Sequence, residues 1–166
     1  MPNNLSICSK SVAHLLHRCG QHAEDEFSRS VGTIAITARQ FSVLSAVADL
    51  DHPSQTQLCE FTGIDRSTLA DIVRRLVARG WLSRRRTQND ARAYAVSVTA
   101  EGEKILEQVL PISLKIDASL LSAMNADEQA TFQSLLHKFL TISRTQPHQR
   151  LSNDVGASSI TVPLGS

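Results

Sequence analysis

The sequence predicts a mainly helical (α+β) fold, and three features of the chain indicate it. Between residues 54 and 80, two capped helical patterns follow one another across a short turn. Two short strand patterns come next around an Asn-Asp turn, and long amphipathic helical patterns flank the whole unit. Together these features are typical of a winged helix-turn-helix domain joined to a helical dimerisation region.

The domain boundaries follow from the same patterns. Residues 37–99 are assigned to the winged helix-turn-helix domain, and residues 8–36 and 100–145 to the helical dimerisation region. Hydrophobic periodicity is lost after residue 145, where Gln, Ser, Asn and Gly become frequent. Residues 146–166 are therefore predicted to form a mobile C-terminal tail.

Two helices precede the helix-turn-helix pattern. The first is predicted over about residues 9–29, with an apolar face formed by Val12, Leu15, Leu16 and Cys19. The second is predicted to begin at Thr37, because its spacing to Gln40 is that of a capping box. The buried face of this second helix is expected to contain Phe41, Leu44, Val47 and Ala48.

The helix-turn-helix pattern consists of a short helix, a turn and a longer helix. The short helix begins at Ser54, which has capping-box spacing to Gln57, and it ends at Gly63. Its expected apolar anchors are Leu58 and Phe61. Asp65 is the predicted N-cap of the longer helix, because its carboxylate can accept amide hydrogens of the first turn. The buried stripe of that helix is predicted to consist of Leu69, Ile72, Val73, Leu76 and Val77.

The outer face of the longer helix is polar and basic. It has hydroxyls near the helix N-terminus and arginines further along: Arg66, Ser67, Thr68, Asp71, Arg74, Arg75 and Arg79. Hydroxyls and backbone amides at a helix N-terminus reach phosphates and base edges of DNA, and arginine can bind guanine bidentately. The alternative is an ordinary solvated face, but the neighbouring helix, turn and strands favour a recognition helix in the major groove.

Positive charge is concentrated in this part of the chain. Residues 66–92 contain eight arginines and two aspartates, so the window has a formal charge of +6. Since the whole chain has a formal charge of +1, the remaining residues must contribute −5. A near-neutral protein with a local basic face has an anion-binding surface, and the expected anion is the DNA backbone.

The wing is predicted as two strands, residues 81–86 and 94–99, around a turn at residues 89–92. In that turn, Asp90 can hold the loop or the guanidinium of Arg92, and an arginine at a hairpin tip can enter a narrow minor groove. The alternative is an ordinary surface ion pair; the preceding helix-turn-helix favours the minor-groove role. The predicted DNA contacts are Ser54, Gln55, Arg66, Ser67, Thr68, Asp71, Arg74, Arg75, Arg84, Arg86, Asp90 and Arg92.

These motifs resemble the multiple-antibiotic-resistance regulator (MarR) family over about residues 35–145. The resemblance is strongest in the wing, where Asn89-Asp90-Ala91-Arg92 is followed by a strand and Thr99-Ala100-Glu101-Gly102. It departs at Val98, where the family pattern has leucine. The resemblance implies a homodimeric winged-helix transcription factor. Such a factor is usually a repressor released by a small phenolic or carboxylate ligand, or by thiol oxidation.

The helices outside the DNA-binding unit predict a dimer. A long helix from about Ala100 has an apolar stripe, and Pro111 is expected to kink it. A final helix begins at Asn125, with Glu128 completing a capping box. One winged-helix unit cannot bury all the outer stripes, so a C₂ dimer is predicted, with operator half-sites ~34–36 Å apart. The alternative is that these helices cap a monomeric core.

The sequence leaves the effector open. In the cleft implied by the family resemblance, His14, Arg18 and Arg39 are the candidate ligand-binding groups, although each is equally consistent with a surface side chain. Cys19 and Cys8 are the candidate redox residues, but Cys19 falls on the predicted apolar stripe, which favours a structural cysteine. The His and Cys spacings do not match a metal site, and no cofactor is predicted.

Other classes of function find less support in the sequence. The chain has no Gly-rich phosphate loop, no Gly-x-Ser-x-Gly elbow and no His-Glu-x-x-His motif, so it is not predicted to be an enzyme. A winged helix that binds a protein instead of DNA commonly lacks a basic wing and a hydroxyl-rich helix start, and this chain has both. With no membrane-spanning apolar run and no signal-peptide pattern, the protein is expected to be soluble and cytoplasmic.

Overall fold

The computed structural model describes residues 11–50, 52–86 and 94–145. This part of the chain contains six helices and one two-stranded antiparallel sheet, which confirms the predicted fold class. The elements in chain order are α1 (Val12–Ser30), α2 (Ala38–Asp49), α3 (Gln55–Thr62), α4 (Arg66–Ala78), β1 (Leu82–Arg86), β2 (Tyr94–Val98), α5 (Ala100–Leu120) and α6 (Ala126–Thr145). The chain divides into two compact units between Ser122 and Ala123.

The core of the first unit is built from the inner faces of the helix-turn-helix, the wing and α5. Its fully buried side chains come from α2, α3, α4, both strands and α5; they include Val43, Leu44, Leu58, Leu69, Val73, Leu76, Leu82, Val96 and Val109. The predicted stripe of α4 is confirmed, with four of its members buried and Val77 packed against the core. Burial of this stripe turns the opposite face of α4 to solvent.

Local side-chain hydrogen bonds begin the helices where the sequence predicts. Thr37 with Gln40 and Ser54 with Gln57 form complete capping boxes at α2 and α3. In the second unit, the amides of Asn125 and Glu128 each donate to the side chain of the other residue, at 2.9 and 3.0 Å. Each bond satisfies an amide that has no partner within its helix, which fixes the first residue of that helix.

The wing is attached to the start of the helix-turn-helix. β1 and β2 pair from Leu82 opposite Val98 to Arg86 opposite Tyr94. On its other edge, β2 receives the chain just before α3: the amide of Val96 donates to the carbonyl of Pro53 at 3.2 Å. Next to this bond, His52 Nδ1 lies 2.6 Å from Ser97 Oγ. The segment before α3 therefore pairs with the edge of β2 that β1 leaves free.

The Thr-x-x-Gly motif fastens the wing to α5. The hydroxyl of Thr99, the N-cap of α5, donates to the carbonyl of Gly80 at 2.5 Å and accepts from the amide of Gly102 at 3.1 Å. The amide of Thr99 donates to the carbonyl of Trp81 at 3.1 Å. A Cβ at Gly102 would lie 2.8 Å from Cγ1 of Val98 and would overlap the Trp81 carbonyl oxygen. Glycine is required here because another segment's backbone passes against the helix.

Two expectations about individual side chains, those for Phe61 and Ala48, are wrong for this chain. Phe61 is half exposed, because the inner side of α3 is formed by Leu58 and its neighbour Cys59 instead. Ala48 is exposed, because the buried residues of α2 end at Val47. In the single chain Cys19 is exposed, together with the rest of the predicted apolar face of α1, and Phe27 is the one buried residue of that helix; this face stays a predicted dimer surface. Arg79 is exposed on the outer side of α4 as predicted, and its side chain contacts Ala35 and Trp81.

Three further expectations concern the end of the chain, α5 and membrane spans. The predicted C-terminal tail at residues 146–166 lies outside the described residues, as does Cys8. The helix α5 is continuous through Pro111 from Ala100 to Leu120. Within the described ranges, no helix is long and apolar enough to cross a membrane.

Candidate nucleic-acid interface

The N-terminus of α4 is organised around Asp65. One carboxylate oxygen of Asp65 accepts the amides of Ser67 and Thr68, at 3.1 and 3.0 Å, and the hydroxyl of Ser67 at 2.6 Å. Hydrogen bonds from the side chains of Ser67 and Thr68, and then from the backbone of Thr68, hold the pKa of Asp65 far below its usual range. The carboxylate therefore stays ionised and caps the helix at neutral pH.

This cap also orients the hydroxyl of Ser67. Because Ser67 donates its hydroxyl proton to Asp65, its oxygen retains lone pairs for a hydrogen-bond donor in solvent. Ser67 is exposed and Thr68 is half buried, in the first turn of α4. The first turn thus presents an acceptor of fixed orientation beside Arg66, whose side chain is exposed.

Further along the same face, Asp71 aligns two arginines. Arg74 Nη2 donates to one carboxylate oxygen of Asp71, and Arg75 Nε lies 2.7 Å from the other. The hydrogen bond from Arg74, together with the charges of both arginines, lowers the pKa of Asp71. Both guanidinium side chains are more than 60% exposed, so the two pairs add little to stability and mainly fix the direction of the arginines.

The other predicted contacts are distributed around this face. Arg84 on β1 is exposed. Ser54 and Gln55 are half buried at the start of α3, and the hydroxyl of Ser54 bonds to Gln57 within the capping box. For Arg86 the backbone alone is described, in β1. The wing-tip residues Asp90 and Arg92 lie outside the described residues.

Arg79 at the end of α4 has a different role from the arginines before it. Its Nη1 donates to the carbonyl of Ala35, and its guanidinium carbon lies 4.9 Å from the centre of the Trp81 ring. One of the eight arginines between residues 66 and 92 therefore bonds to another segment of this chain, although the residue is exposed. No local pattern in the sequence indicates this role, because Ala35 is 44 residues away.

A cavity of about 410 Å³ lies between the second half of α1 and the start of α2. Its lining includes the apolar residues Phe27 and Ile36 and the charged residues Glu24 and Arg39. Arg39 Nε lies 3.4 Å from the carboxylate of Glu24. Of the three predicted ligand-binding groups, Arg39 lines this cavity, whereas the half-buried His14 and the exposed Arg18 do not.

The described cysteines are free thiols. Cys19 is exposed on α1, and Cys59 is half buried on α3. Among the residues that the structure describes, no three His, Cys, Asp or Glu side chains are grouped as a metal site would require.

Comparison with known proteins places this geometry in a family. Residues 36–93 match the model of the MarR family. The transcriptional regulator HosA from Escherichia coli is 34% identical over 105 residues, which cover 63% of this chain and 78% of that protein.

Solved structures of other proteins resemble this fold, and two of them are compared below. BpsR from Bordetella bronchiseptica, whose DNA binding is regulated by 6-hydroxynicotinic acid, has a TM-score of 0.73 and 30% identity. The comparison covers 79% of this chain and 94% of BpsR. A mutant of MarR from Escherichia coli complexed with operator DNA has a TM-score of 0.73 and 29% identity, over 78% of this chain and 93% of that one. With its winged helix-turn-helix and its similarity to HosA, this chain belongs to the MarR family of transcriptional regulators.

Proposed function

We propose that this protein is a homodimeric transcriptional repressor that binds a pseudo-palindromic DNA operator and is released by a small organic ligand. The observation that carries the proposal is the exposed face of α4, where Asp71 holds Arg74 and Arg75 side by side next to a capped, hydroxyl-bearing N-terminus. The MarR mutant complexed with operator DNA supports it by similarity of fold. The proposal places the protein in the cytoplasm, with the DNA.

The face of α4 suits direct readout in the major groove. Arg66 faces phosphates, which position the helix, while Arg74 and Arg75 offer guanidinium groups that match the acceptor pair of guanine. The acceptor oxygen of Ser67 is suited to the amino groups of adenine or cytosine. Asp71 orients these arginines and also repels phosphates at wrong positions, so it contributes to selectivity as well as geometry.

The wing supplies the second part of the proposed interface. Arg84 is exposed on β1, and Arg86 follows on the same strand. We place Asp90 and Arg92 at the tip, with Arg92 entering the minor groove, and this assignment is made from the sequence. Because β2 is bonded to Pro53 just before α3, the wing and the helix-turn-helix would approach DNA together.

The dimer is proposed from apolar side chains that this chain leaves exposed. On α1, Val12 is 64% and Leu15 is 47% exposed; on α5, Leu114 is 61% exposed. In the second unit, α6 exposes Leu135 and Leu140. Large exposed aliphatic side chains along several helices are typical of a surface that another subunit covers. A twofold dimer would present two copies of α4 to two half-sites.

The effector is proposed to be a small carboxylate or phenol. The cavity beside Arg39 has a size typical of small-ligand sites and has apolar walls. Because Glu24 and Asp25 also line it and Glu24 is paired with Arg39, an anionic ligand would have to replace Glu24 as the partner of Arg39. His14 and Arg18 remain candidates for a site completed by the second subunit. A ligand causes release by binding more tightly to a dimer whose recognition helices are wrongly spaced for DNA. The effect of 6-hydroxynicotinic acid on BpsR supports this class of ligand.

A thiol-based switch is the second candidate mechanism, with Cys19 as its thiol. A redox-sensing thiol must be accessible. Cys19 is exposed in the single chain, and the mechanism requires that it stay accessible beside the α1 face that the second subunit covers. Cys19→Ser is expected to leave ligand-driven release intact and to abolish release by peroxide. If peroxide releases the wild-type protein and the Cys19→Ser variant equally, Cys19 is not the sensor.

The proposal is tested by fluorescence-anisotropy titration with the DNA upstream of the protein's own gene, compared with scrambled DNA at two salt concentrations. Sequence preference and salt-dependent affinity are expected, and a panel of phenolic and carboxylic acids should contain a releasing compound. The matched variants are Arg75→Ala, on the proposed interface, and Lys138→Ala, an exposed residue in the middle of α6. Equal affinity for both DNAs at every salt would favour a winged-helix module that binds a protein instead.

A further inference from the structure

Arg79 lies where three segments of the first unit meet. It is the C-cap residue of α4, and its side chain reaches the carbonyl of Ala35 in the connection between α1 and α2. Its guanidinium also lies over the ring of Trp81, the residue just before β1. We call this set of contacts, between the Arg79 side chain, the Ala35 carbonyl and the Trp81 ring, the Arg79 clamp.

The backbone around Trp81 is already fixed from two sides. Its amide donates to the carbonyl of Leu76 in α4 at 3.0 Å, and its carbonyl accepts from the amide of Thr99 at 3.1 Å. Gly102 of α5 packs directly against that carbonyl. The Arg79 clamp therefore adds the α1–α2 connection to a junction that already holds α4, the wing and α5 together.

The clamp also lies beside the cavity. Ala35 is followed directly by Ile36, Thr37, Ala38 and Arg39, all of which line the cavity. A molecule that fills the cavity and moves this segment would move the acceptor to which Arg79 donates. In an α-helix that rises 1.5 Å per residue, Arg79 is about 20 Å from Arg66 at the DNA-reading end.

We propose that Arg79 is a positioning residue and not a phosphate contact: it sets the orientation of α4 against the α1–α2 connection and couples the cavity to the recognition helix. The inference rests on the proposed DNA-binding function. In the bound protein, Arg79 holds the C-terminal end of α4 while the N-terminal half reads DNA. When the connection is displaced, the clamp loosens and the orientation of α4 is no longer fixed.

The first test compares Arg79→Ala, Arg79→Gln and Arg79→Lys with Arg66→Ala, at the residue proposed to face phosphates, using one labelled duplex from upstream of the gene at several salt concentrations. The clamp predicts that Arg79→Ala weakens binding by about 2- to 30-fold with the salt slope unchanged. Gln, which retains N–H donors without the charge, should restore part of the affinity that Ala loses, whereas a phosphate contact would need the charge that only Lys retains. Arg66→Ala should instead lower the slope by about 0.9.

Trp81 provides a direct signal because it is the single tryptophan of the chain. Its emission is expected to change in Arg79→Ala and to stay unchanged in Arg66→Ala, in the absence of DNA. Thermal unfolding of each variant identifies any that are unfolded, and the Gln and Lys variants decide the test if Ala does not fold. A lower salt slope that Lys restores, with unchanged Trp81 emission, would show a phosphate contact and overturn the proposal.

The second test fills the cavity without a ligand. Ser28 is exposed and lines the cavity, whereas Ser30 on the same helix is exposed but does not line it. Ser28→Phe is expected to change Trp81 emission and to weaken DNA binding at least about twofold, while Ser30→Phe does neither. In an Arg79→Ala background, Ser28→Phe should have no further effect.

The outcomes separate this inference from the proposed function. Additive effects of Ser28→Phe and Arg79→Ala on affinity would overturn the coupling through the clamp. If the wild-type protein binds the duplex but all Arg79 variants bind as the wild type does, the inference fails and the proposed function stands. If the wild-type protein prefers no DNA at any salt, both are overturned.

Discussion

Gly102 offers the sharpest test of how the wing is joined to α5. An alanine Cβ at this position would overlap the Trp81 carbonyl oxygen and approach Cγ1 of Val98 to 2.8 Å. The carbonyl cannot move aside easily, because it accepts the amide of Thr99 at 3.1 Å. Overpacking of this kind typically costs about 1–3 kcal/mol. Because the overlapped atom belongs to the backbone, we take the upper end of this cost, about 3 kcal/mol. Alanine regains up to about 1 kcal/mol through its higher helix propensity, so Gly102→Ala should lower the free energy of unfolding by about 2 kcal/mol.

The chain contains a matched control for this substitution. Gly20 also lies within a helix, α1, but a Cβ built there has no atom within 4 Å. Gly20→Ala should therefore stabilise the protein by about 0.4–1 kcal/mol, because alanine loses less backbone entropy on folding. The two substitutions are the same in chemistry and are expected to have opposite signs.

Urea denaturation followed by circular dichroism measures both variants against the wild type. With an m-value of about 2 kcal/mol/M, Gly102→Ala should lower the midpoint by about 1 M. Gly20→Ala should raise it by about 0.2–0.5 M. If Gly102→Ala raised the midpoint as Gly20→Ala does, the close approach of Trp81 to α5 would not exist in solution. Steric exclusion of a Cβ would then not be the reason for glycine in the Thr-x-x-Gly motif.

Three further predictions concern charged groups of the interface. Because the pKa of Asp65 is lowered in the folded protein, the stabilising effect of its carboxylate is present above about pH 4, the ordinary range of an aspartate. That effect is lost as the pH falls toward the folded-state pKa. In urea titrations at pH 7 and pH 3, Asp65→Asn should keep most of the cap and lose this pH dependence. Asp71→Asn should raise affinity for random DNA and lower the ratio of operator affinity to random-DNA affinity, because Arg74 and Arg75 lose their alignment. An unchanged ratio in anisotropy would remove Asp71 from sequence discrimination. Arg92→Ala should weaken operator binding and reduce the salt slope by about 0.9, and unchanged binding would exclude the wing tip from the interface.

The features that are best predicted from sequence depend on residues three or four positions apart. The capping boxes at Thr37 and Ser54 and the buried stripe of α4 are of this kind, because their partners lie within one helical turn. Gly102 was visible as part of a motif, but its reason was not, since the carbonyl that requires glycine lies 21 positions earlier. The amphipathic spacing of α1 indicates an apolar face, but it does not indicate whether this chain or a second subunit covers that face.

Charge counting failed at Arg79 for a related physical reason. All arginines of the window look alike in a sequence, yet those on α4 divide by what surrounds each guanidinium. Arg74 and Arg75 find a carboxylate within one turn of their own helix, which a sequence with Asp71 nearby can suggest. Arg79 finds a carbonyl and an aromatic ring that only the folded chain brings close. Formal charge alone therefore does not indicate which of these arginines bonds to a distant segment of the same chain.

Because the clamp holds the C-terminal end of α4, a rotation of this helix about that end displaces its N-terminal end the most. The groups proposed to read DNA lie in its first three turns, and the clamp holds its other end, about 20 Å away for Arg66 at a rise of 1.5 Å per residue. A rotation of about 10° around the clamped end moves the reading end by about 3.5 Å, which is close to the 3.4 Å rise of one base pair. The same rotation moves Arg74 and Arg75, which are five and four residues from Arg79, by only about 1 Å, so the largest change is at the phosphate-facing N-terminal end of α4. The energy for that change comes from the ligand's preference for the displaced arrangement, so its affinity must be lower when the protein is bound to DNA.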